Sequence, residues 1–387
     1  MTLPSRGDAP PVPAAPPGGG QIGALDNLIG QPAEGADTPA PLLDLDAFER
    51  NAGFIAGFLR EHGLAWRPHA KAHKSPQLAR LQQRHGAIGI TCAKLSEAEV
   101  MAAHGIGDIL VANYLSTPAK WARAAAVQRQ ARVAVDVDDL EHVRMASAAA
   151  AAAGTQIPLF IEVDIGMRRA GVRTSAAALG LAGDIAESPG VFLAGVMGYE
   201  GHLLRTWPEA DKRAQCAQAL AGLTDIADDL RSAGHDVAVV SSGGTGSFQL
   251  TAELPGLTEC QAGGGCLMDR FYVEDCHVDL EQALTVQTSV VSARPGGAVV
   301  DAGFKTCGNL ADFSLPLVLG RPGITVRALS AEHGILDVAG PPLRIGEQVR
   351  LVPAYSDAML VLHDNLIGYR GGVVTEIIAM PGRGRLT

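Results

Sequence analysis

The chain has 387 residues, of which 47% are hydrophobic and 19% charged, and its formal net charge is −10. This length suggests two domains, because single hydrophobic cores stop growing at about 250–300 residues. The acidic balance and the scattered Lys and Arg residues argue against nucleic acid or an anionic membrane as a partner.

The first residues, MTLPSRGDAPPVPAAPPGGGQ, are rich in Pro, Ala and Gly. This composition predicts a disordered tail over residues 1–36 and argues against a secretory signal. No apolar run reaches the roughly 18 residues that a membrane-crossing helix needs. The cysteines have irregular spacings and no C-x-x-C pair, so we expect them to be reduced and buried. A cytoplasmic protein is therefore expected.

After the tail, apolar strand-like runs alternate with helical patterns. TPAPLLDLD leads into a helix over Ala47–His62, and GAIGITCAK leads into a helix that Ser96 and Glu99 are expected to cap. The strands recur about every 20–40 residues, which is typical of βαβ units and a parallel sheet. About seven or eight units over residues 37–275 predict a (β/α)8 TIM barrel.

From about Ala283 the pattern changes to strands separated by short turns that contain Gly or Pro. LTVQTSVVSA, GAVVDAGF, GITVRALSAEHGILDV, EQVRLVPAY and GYRGGVVTEIIAM have little helical character between them. We therefore predict a separate, mostly antiparallel β domain over residues 276–387.

The segment RPHAKAHK, residues 67–74, places a dense cationic cluster where an early barrel strand should end. Neighbouring positive charge favours the neutral form of an amine, which is the form that attacks an aldehyde. Strand alternation puts Lys71, His69 and Arg67 on one side. Arg67 or Lys74 could instead be solvated surface charges.

Two glycine-rich runs, SSGGTGS at residues 241–247 and QAGGG at residues 261–265, follow late strands. Backbone N–H groups in such loops can surround a phosphate, and the loops after strands 7 and 8 are the usual phosphate site of a barrel. A tight turn would need the same glycines. Their coincidence at this place in the barrel favours the phosphate interpretation.

Together these motifs resemble one family. With EVDIGMRRAGV, GYEGH, DAGFK and LVPAYSD, they match, in order, the fold-type III pyridoxal-phosphate enzymes of the D-threonine aldolase, 3-hydroxy-D-aspartate aldolase and D-serine dehydratase group. The resemblance covers roughly residues 37–387. It implies an alanine-racemase-like barrel with a β domain, and a homodimer.

The resemblance also implies roles for individual residues. Lys71 would hold pyridoxal phosphate as a Schiff base, with His69 beside it. Arg169 would lie near the phenolic oxygen of the cofactor, and Tyr199 would face its pyridine nitrogen. The residues expected to hold the phosphate are Gly244, Thr245, Gly263 and Gly264.

One departure from the family concerns a metal site. These lyases usually carry His-x-Asp or His-x-Cys in the β domain, which binds a divalent cation beside the β-hydroxyl of the substrate. Here Tyr355 replaces the histidine, while Asp357 and His363 remain. One carboxylate alone is a poor transition-metal site. Tyr355 is then a candidate acid–base residue, or Asp357 and His363 could rebuild a site for Mg²⁺ or Mn²⁺.

The expected function is a pyridoxal-phosphate lyase that cleaves the Cα–Cβ bond of a β-hydroxy-D-amino acid to glycine and an aldehyde. Alternatives are elimination of the D-serine dehydratase type and racemisation. A non-catalytic protein that binds pyridoxal phosphate is disfavoured, because small proteins of that kind lack a β domain. The partner is expected to be a small D-amino acid.

Overall fold

The computed structural model describes residues 25–387, which form two β-sheets and the helices that surround one of them. The helices are α1 (Leu45–Glu61), α2 (Pro76–Arg84), α3 (Leu95–Ala103), α4 (Pro118–Val127), α5 (Leu140–Ala153), α6 (Ser175–Glu187), α7 (Glu209–Ser232), α8 (Phe248–Ala252), α9 (Phe304–Cys307) and α10 (Ser356–Leu360). The strands are β1 (Ala40–Asp44), β2 (Ala65–Trp66), β3 (Ile90–Cys92), β4 (Asp108–Val111), β5 (Arg132–Val137), β6 (Ile157–Glu162), β7 (Val191–Met197), β8 (Val239–Ser242), β9 (Glu259–Cys260), β10 (Leu284–Arg294), β11 (Gly297–Val300), β12 (Leu317–Val318), β13 (Ile324–Leu329), β14 (Gly334–Val338), β15 (Gln348–Val352), β16 (Asn365–Arg370) and β17 (Val373–Ala379).

The first sheet is a closed parallel barrel. Its strands pair in the order β2-β9-β8-β7-β6-β5-β4-β3. Isolated parallel bridges from Trp66 to Ala87 and from His69 to Thr91 connect the two end strands. All residues of β6 are buried, because helices cover the outside of the barrel and side chains fill its inside. The predicted (β/α)8 fold class is confirmed.

The second sheet is mostly antiparallel and lies largely in the C-terminal part of the chain. Its main order is β13-β14-β11-β10-β1-β16-β17, and β15 pairs with both β10 and β12. The pair β1–β16 is parallel, whereas β1–β10 and β16–β17 are antiparallel. The prediction of a mostly antiparallel second sheet is confirmed.

Strand β1 differs from the predicted domain division. We placed it in the barrel with residues 37–275, but it pairs with β10 and β16 of the second sheet. Its apolar residues give no indication of which sheet they join, since both sheets bury such strands. The chain therefore begins in the second sheet and then enters the barrel through α1.

The predicted disordered tail is wrong for residues 25–36, and its residues 1–24 lie outside the described part of the chain. Ala33 and Ala36 are buried in a small cluster with Ile367 and Val374. The Gly30 N–H donates to the Val374 carbonyl at 2.8 Å. The apolar residues that follow the Pro- and Gly-rich stretch thus pack on the edge of the second sheet.

The predicted cap of helix α3 is also wrong. The helix begins at Leu95, with Lys94 at its N-cap position and no side-chain cap. The Ser96 N–H donates instead to the Thr387 carbonyl at 3.0 Å. Glu99 forms an ion pair with Arg123 at 2.6 Å. A tertiary contact with the C-terminal residue therefore replaces the local cap.

Two sequence-based expectations concern the described residues as a whole. The cysteines are free and buried, as expected. Within residues 25–387, no helix is both long and apolar enough to cross a membrane.

An internal ion-pair network lies inside the barrel. Arg67 is only 4% exposed, and its guanidinium contacts Glu259 and Asp108, each at 2.8 Å. Glu259 is also buried. A carboxylate left in such a place without its partner loses both water and the opposite charge, which is costly.

We therefore expect Arg67→Met to lower the free energy of unfolding by about 3–5 kcal/mol. The matched control is Arg132→Met, because Arg132 contacts the same Asp108 at 3.2 Å from an exposed position. The Arg132→Met substitution should lower the free energy of unfolding by about 0–1 kcal/mol. Urea unfolding of both variants measures the difference, and equal losses would contradict the buried-network account.

Candidate active site

A cavity of about 240 Å³ opens at the carboxyl ends of the barrel strands. This is the end at which barrel folds place their functional residues. Residues from β6, β7 and the two glycine runs line it, and Asp357 reaches it from the second sheet domain. The lining residues are His69, Lys71, Ala72, Ala93, Ala112, Asn113, Tyr114, Glu162, Arg169, Met197, Gly198, Tyr199, Gly243, Gly244, Thr245, Gln261, Gly263, Gly264, Tyr272 and Asp357.

Lys71 lies just beyond the bridge between His69 and Thr91 that closes the barrel. Its side chain is 36% exposed, and its Nζ lies 3.5 Å from Asp357 Oδ2. The Lys71 N–H donates to His69 Nδ1 at 3.2 Å, which places the proton of a neutral His69 on Nε2. Burial, and then the charge of Lys71, hold the pKa of His69 well below its usual value. His69 is therefore a neutral neighbour of the lysine.

The other cations of the RPHAKAHK segment are not solvated surface charges. Arg67 is buried in the barrel, as described above. Lys74 is turned away from Lys71, and its Nζ contacts Glu97, a fully buried carboxylate, at 2.6 Å. Lys71 is the lysine of this segment that lines the cavity.

The two glycine-rich runs face each other across one side of the cavity. The Gly265 N–H donates to Thr245 Oγ1 at 2.8 Å, which ties the runs together. A Cβ on Gly263 would lie 2.2 Å from the His69 carbonyl oxygen, so no larger residue fits there. A Cβ on Gly264 would lie 2.7 Å from the Tyr272 ring. Glycines at these positions therefore allow a close approach of backbone to backbone and of backbone to the cavity.

A buried carboxylate supports the first run from behind. Glu200 is fully buried and accepts hydrogen bonds from Ser242 at 3.0 Å, Ser247 at 2.5 Å and Thr251 at 3.1 Å. Three hydroxyl donors satisfy a charge that would otherwise be costly to bury. This cluster holds the loop in place from the side away from the cavity.

Tyr199 and Arg169, two of the predicted site residues, line the cavity. The Tyr199 ring packs beside Gly244, since a Cβ on that glycine would lie 3.0 Å from the ring. Arg169 contacts Glu162 at 3.2 Å, and Glu162 also accepts a very short hydrogen bond from the Tyr114 hydroxyl. Burial, and then the charge of Glu162, raise the pKa of Tyr114, so this hydroxyl stays protonated.

The second sheet domain adds Asp357 and Tyr355. The Tyr355 hydroxyl donates to Asp357 Oδ2 at 3.0 Å, and Tyr355 does not itself line the cavity. Asp269 follows the last barrel strand. It accepts hydrogen bonds from the Ser356 N–H at 2.8 Å and from the Tyr272 N–H at 3.0 Å. This buried carboxylate therefore fixes the two segments that carry Asp357 and Tyr272 relative to each other.

A metal site rebuilt from Asp357 and His363 is not supported by their positions. His363 does not line the cavity, and its Nε2 lies 2.8 Å from the Thr306 carbonyl oxygen. Among residues 25–387, no group of three or more His, Cys, Asp or Glu side chains has a geometry that could hold a metal ion. The residues present at Asp357 thus do not fit a divalent cation.

Sequence analysis missed several lining residues. Asn113, Tyr114 and Tyr272 follow strands or short turns without a distinctive motif. Glu162 carried a usable signal, because it is a carboxylate that ends the apolar run IPLFIE. Asp164, two residues further on, binds Arg173 at 2.9 Å outside the cavity.

The fold and cavity define an enzyme-like barrel with its site at the strand ends and a β domain that closes one side. Residues 43–270 match the family model described as alanine racemase, N-terminal domain, and residues 283–369 match a model whose description names a serine dehydratase domain. The chain therefore belongs to the alanine racemase N-terminal domain family.

Individual relatives with similarity over nearly the whole chain are named as aldolases. The chain is 36% identical to D-threonine aldolase of Arthrobacter sp. over 386 residues, which is 98% of each chain. It is 36% identical to 3-hydroxy-D-aspartate aldolase of Paracoccus denitrificans over 369 residues, covering 92% of this chain and 95% of that relative. The crystal structure of D-threonine aldolase from Filomicrobium marinum superposes with a TM-score of 0.88 at 35% identity, covering 93% of this chain and 99% of the other.

The burial of Asp269 predicts that the stability of the folded protein depends on pH. Burial raises the pKa of Asp269 to about 7, whereas an unfolded Asp titrates near about 4. Between these values the folded protein keeps a proton that the unfolded chain releases, so this group lowers stability as pH rises. The loss is up to about 1.4 kcal/mol per pH unit.

Asp269→Asn removes this titration. The free energy of unfolding of the unmodified protein, relative to that of the variant, should fall as pH rises from about 4 to about 7. Urea unfolding at several pH values measures it. A difference between the two proteins that does not change with pH would contradict the assignment.

Proposed function

We propose that this protein is a pyridoxal-phosphate lyase that cleaves the Cα–Cβ bond of a β-hydroxy-D-amino acid to glycine and an aldehyde. The observation that carries the proposal is that Lys71 and two glycine-rich runs line the same cavity. An amine that can bind an aldehyde and a backbone cradle that can bind a phosphate are the two features that this cofactor requires. The named aldolase relatives support the choice of reaction.

The residues present fit the cofactor. Gly263 and Gly264 line the cavity, where their backbone N–H groups are candidates to hold a phosphate. Thr245 and Gly244 lie across from them on the first run. Pyridoxal phosphate, when bound, supplies an electron sink for the pair released by the broken bond.

The side chains around the cradle would then orient the bound groups. Lys71 would hold the aldehyde carbon, and the neutral His69 would pack beside it without adding charge. Arg169 would place its cation near the phenolic oxygen, with Glu162 fixing the guanidinium. Tyr199 would face the pyridine nitrogen, and its ring lies beside Gly244 of the first glycine run.

A spectral comparison tests the cofactor site. The purified protein should show the visible absorbance of a lysine Schiff base, and Lys71→Ala should lose this band together with about 1,000-fold or more of its activity. The matched control is Lys94→Ala, because Lys94 is the N-cap residue of α3 and does not line the cavity. A band that persists in Lys71→Ala would reject this lysine as the attachment site.

The charges of the cavity indicate a neutral side chain in the substrate. The cations that line it within the described residues are Lys71 and Arg169, and Arg169 is already paired with Glu162. His69 is neutral, and Asp357 adds a negative charge. A second substrate carboxylate would find no unpaired cation there and would be repelled by Asp357.

We therefore expect kcat/KM for D-threonine or D-phenylserine to exceed that for 3-hydroxy-D-aspartate by about 10-fold or more. Chromatography of glycine and aldehyde measures cleavage, with the L-amino acids as controls for stereochemistry. Equal or better cleavage of 3-hydroxy-D-aspartate would contradict the charge argument.

The same product assay distinguishes the alternatives. A dehydratase of the D-serine type would release a keto acid and ammonia, and the match of residues 283–369 to a serine dehydratase domain keeps this second candidate open. A racemase would need an acid–base group on each face of the substrate. A non-catalytic binding protein would release nothing.

We also propose a cytoplasmic homodimer. The free, buried cysteines suit a reducing compartment. The pairing of subunits comes from the family resemblance alone, and light scattering on the purified protein measures it.

A further inference from the structure

Asp357 has one carboxylate oxygen that is bound and one that is not. Oδ2 accepts from the Tyr355 hydroxyl at 3.0 Å and lies 3.5 Å from Lys71 Nζ. Oδ1 is buried and has no hydrogen-bond partner within the described residues. The residue lines the cavity beside the lysine that would hold the substrate. A buried carboxylate oxygen without a donor is costly, so this position is suited to a donor that arrives with the ligand.

Tyr355 is held in a fixed orientation by its neighbours. Its ring stacks on Phe313 at 4.7 Å between centroids and meets the edge of Phe271 at 5.6 Å. Burial, and then the charge of Asp357, raise the pKa of Tyr355. Its hydroxyl therefore remains protonated and donates to Asp357, so it is not available to accept a proton from a substrate. The suggestion that Tyr355 itself acts as the base does not fit this geometry.

We propose that Asp357 Oδ1 is the base that accepts the β-hydroxyl proton of the substrate directly, with Tyr355 as the positioning residue and without a divalent cation. This inference rests on the proposed function and deepens it. It assigns to a carboxylate and a phenol the work that a His-x-Asp metal site performs in the related lyases.

The step balances without another reactant. The β-hydroxyl proton passes to Oδ1, and an electron pair of the hydroxyl oxygen forms the C=O bond of the aldehyde. The Cα–Cβ bond breaks, and its electron pair remains with the Cα fragment. The proton held by Asp357 then passes to Cα, which gives glycine and regenerates the carboxylate.

The donor set favours this base over a metal ion. The position of the family histidine carries a neutral phenol, and the hydrogen of that phenol is directed at Asp357. Two weak or singly charged oxygen donors hold a transition metal poorly.

The first test compares Asp357→Asn with Tyr355→Phe, which change one functional group each and keep the side-chain shape. Asp357→Asn should slow aldehyde release by about 100-fold or more, the usual contribution of a general base. Tyr355→Phe should lower kcat about 10-fold with KM unchanged, because a hydrogen bond to a charged group is lost.

Two readouts separate this inference from the proposed function. The visible absorbance of the cofactor, and its change on titration with D-alanine, should be alike in both variants and the unmodified protein, because D-alanine has no β-hydroxyl. If the Asp357→Asn variant cleaves the substrate at a rate within about 10-fold of the unmodified protein, Asp357 is not the base, and the lyase proposal still stands. An unmodified protein that binds the cofactor but cleaves no β-hydroxy-D-amino acid would overturn both.

The second test concerns the metal. Chelator treatment should leave cleavage unchanged, and elemental analysis should find far less than one Mn²⁺, Mg²⁺ or Zn²⁺ per chain. Tyr355→His restores the His-x-Asp donor pair, so Mn²⁺ should raise the thermal midpoint of this variant and not that of the unmodified protein. Activity lost to the chelator and restored by Mn²⁺, or a midpoint of the unmodified protein raised by Mn²⁺, would overturn the metal-free base.

Discussion

The junction between the barrel and the second sheet domain, where Lys71 meets Asp357, is the constraint on which the proposed site depends. Lys71 belongs to the barrel and Asp357 to the second sheet domain, and their charged atoms lie 3.5 Å apart. Residues of both domains line the cavity, since Lys71 and the two glycine runs come from the barrel and Asp357 comes from the second domain. Asp269 fixes this junction by accepting hydrogen bonds from both segments. The two sheets therefore have to pack correctly before the chemistry is possible.

The barrel is well suited to prediction from sequence because its strands and helices repeat at a regular interval. The same regularity places residues at strand ends, which is why Lys71 and the two glycine runs could be named as site residues, whereas Tyr199 came from the resemblance to a family. The resemblance to a family added Arg169 and Asp357. All of these side chains line one cavity, although the role of each remains a prediction.

Other features depend on contacts between distant residues and leave little trace in a local pattern. Strand β1 is apolar in either sheet, so only its pairing with β10 and β16 reveals its place. Ser96 has the sequence of a helix cap, but its N–H is satisfied by the last residue of the chain. Tyr355 was expected at the reacting atoms, and the structure places it behind Asp357. In each case tertiary packing decides between two locally acceptable arrangements.

The covalent attachment of the cofactor is the central claim, because the cradle, the orientation of substrate and the role of Asp357 all require it. The most direct measurement is borohydride reduction of the purified protein with pyridoxal phosphate, followed by peptide mass spectrometry. We expect a single pyridoxyl adduct, on the peptide that contains Lys71. An adduct on a different lysine, or an unmodified Lys71 in a protein that still cleaves a β-hydroxy-D-amino acid, would contradict it.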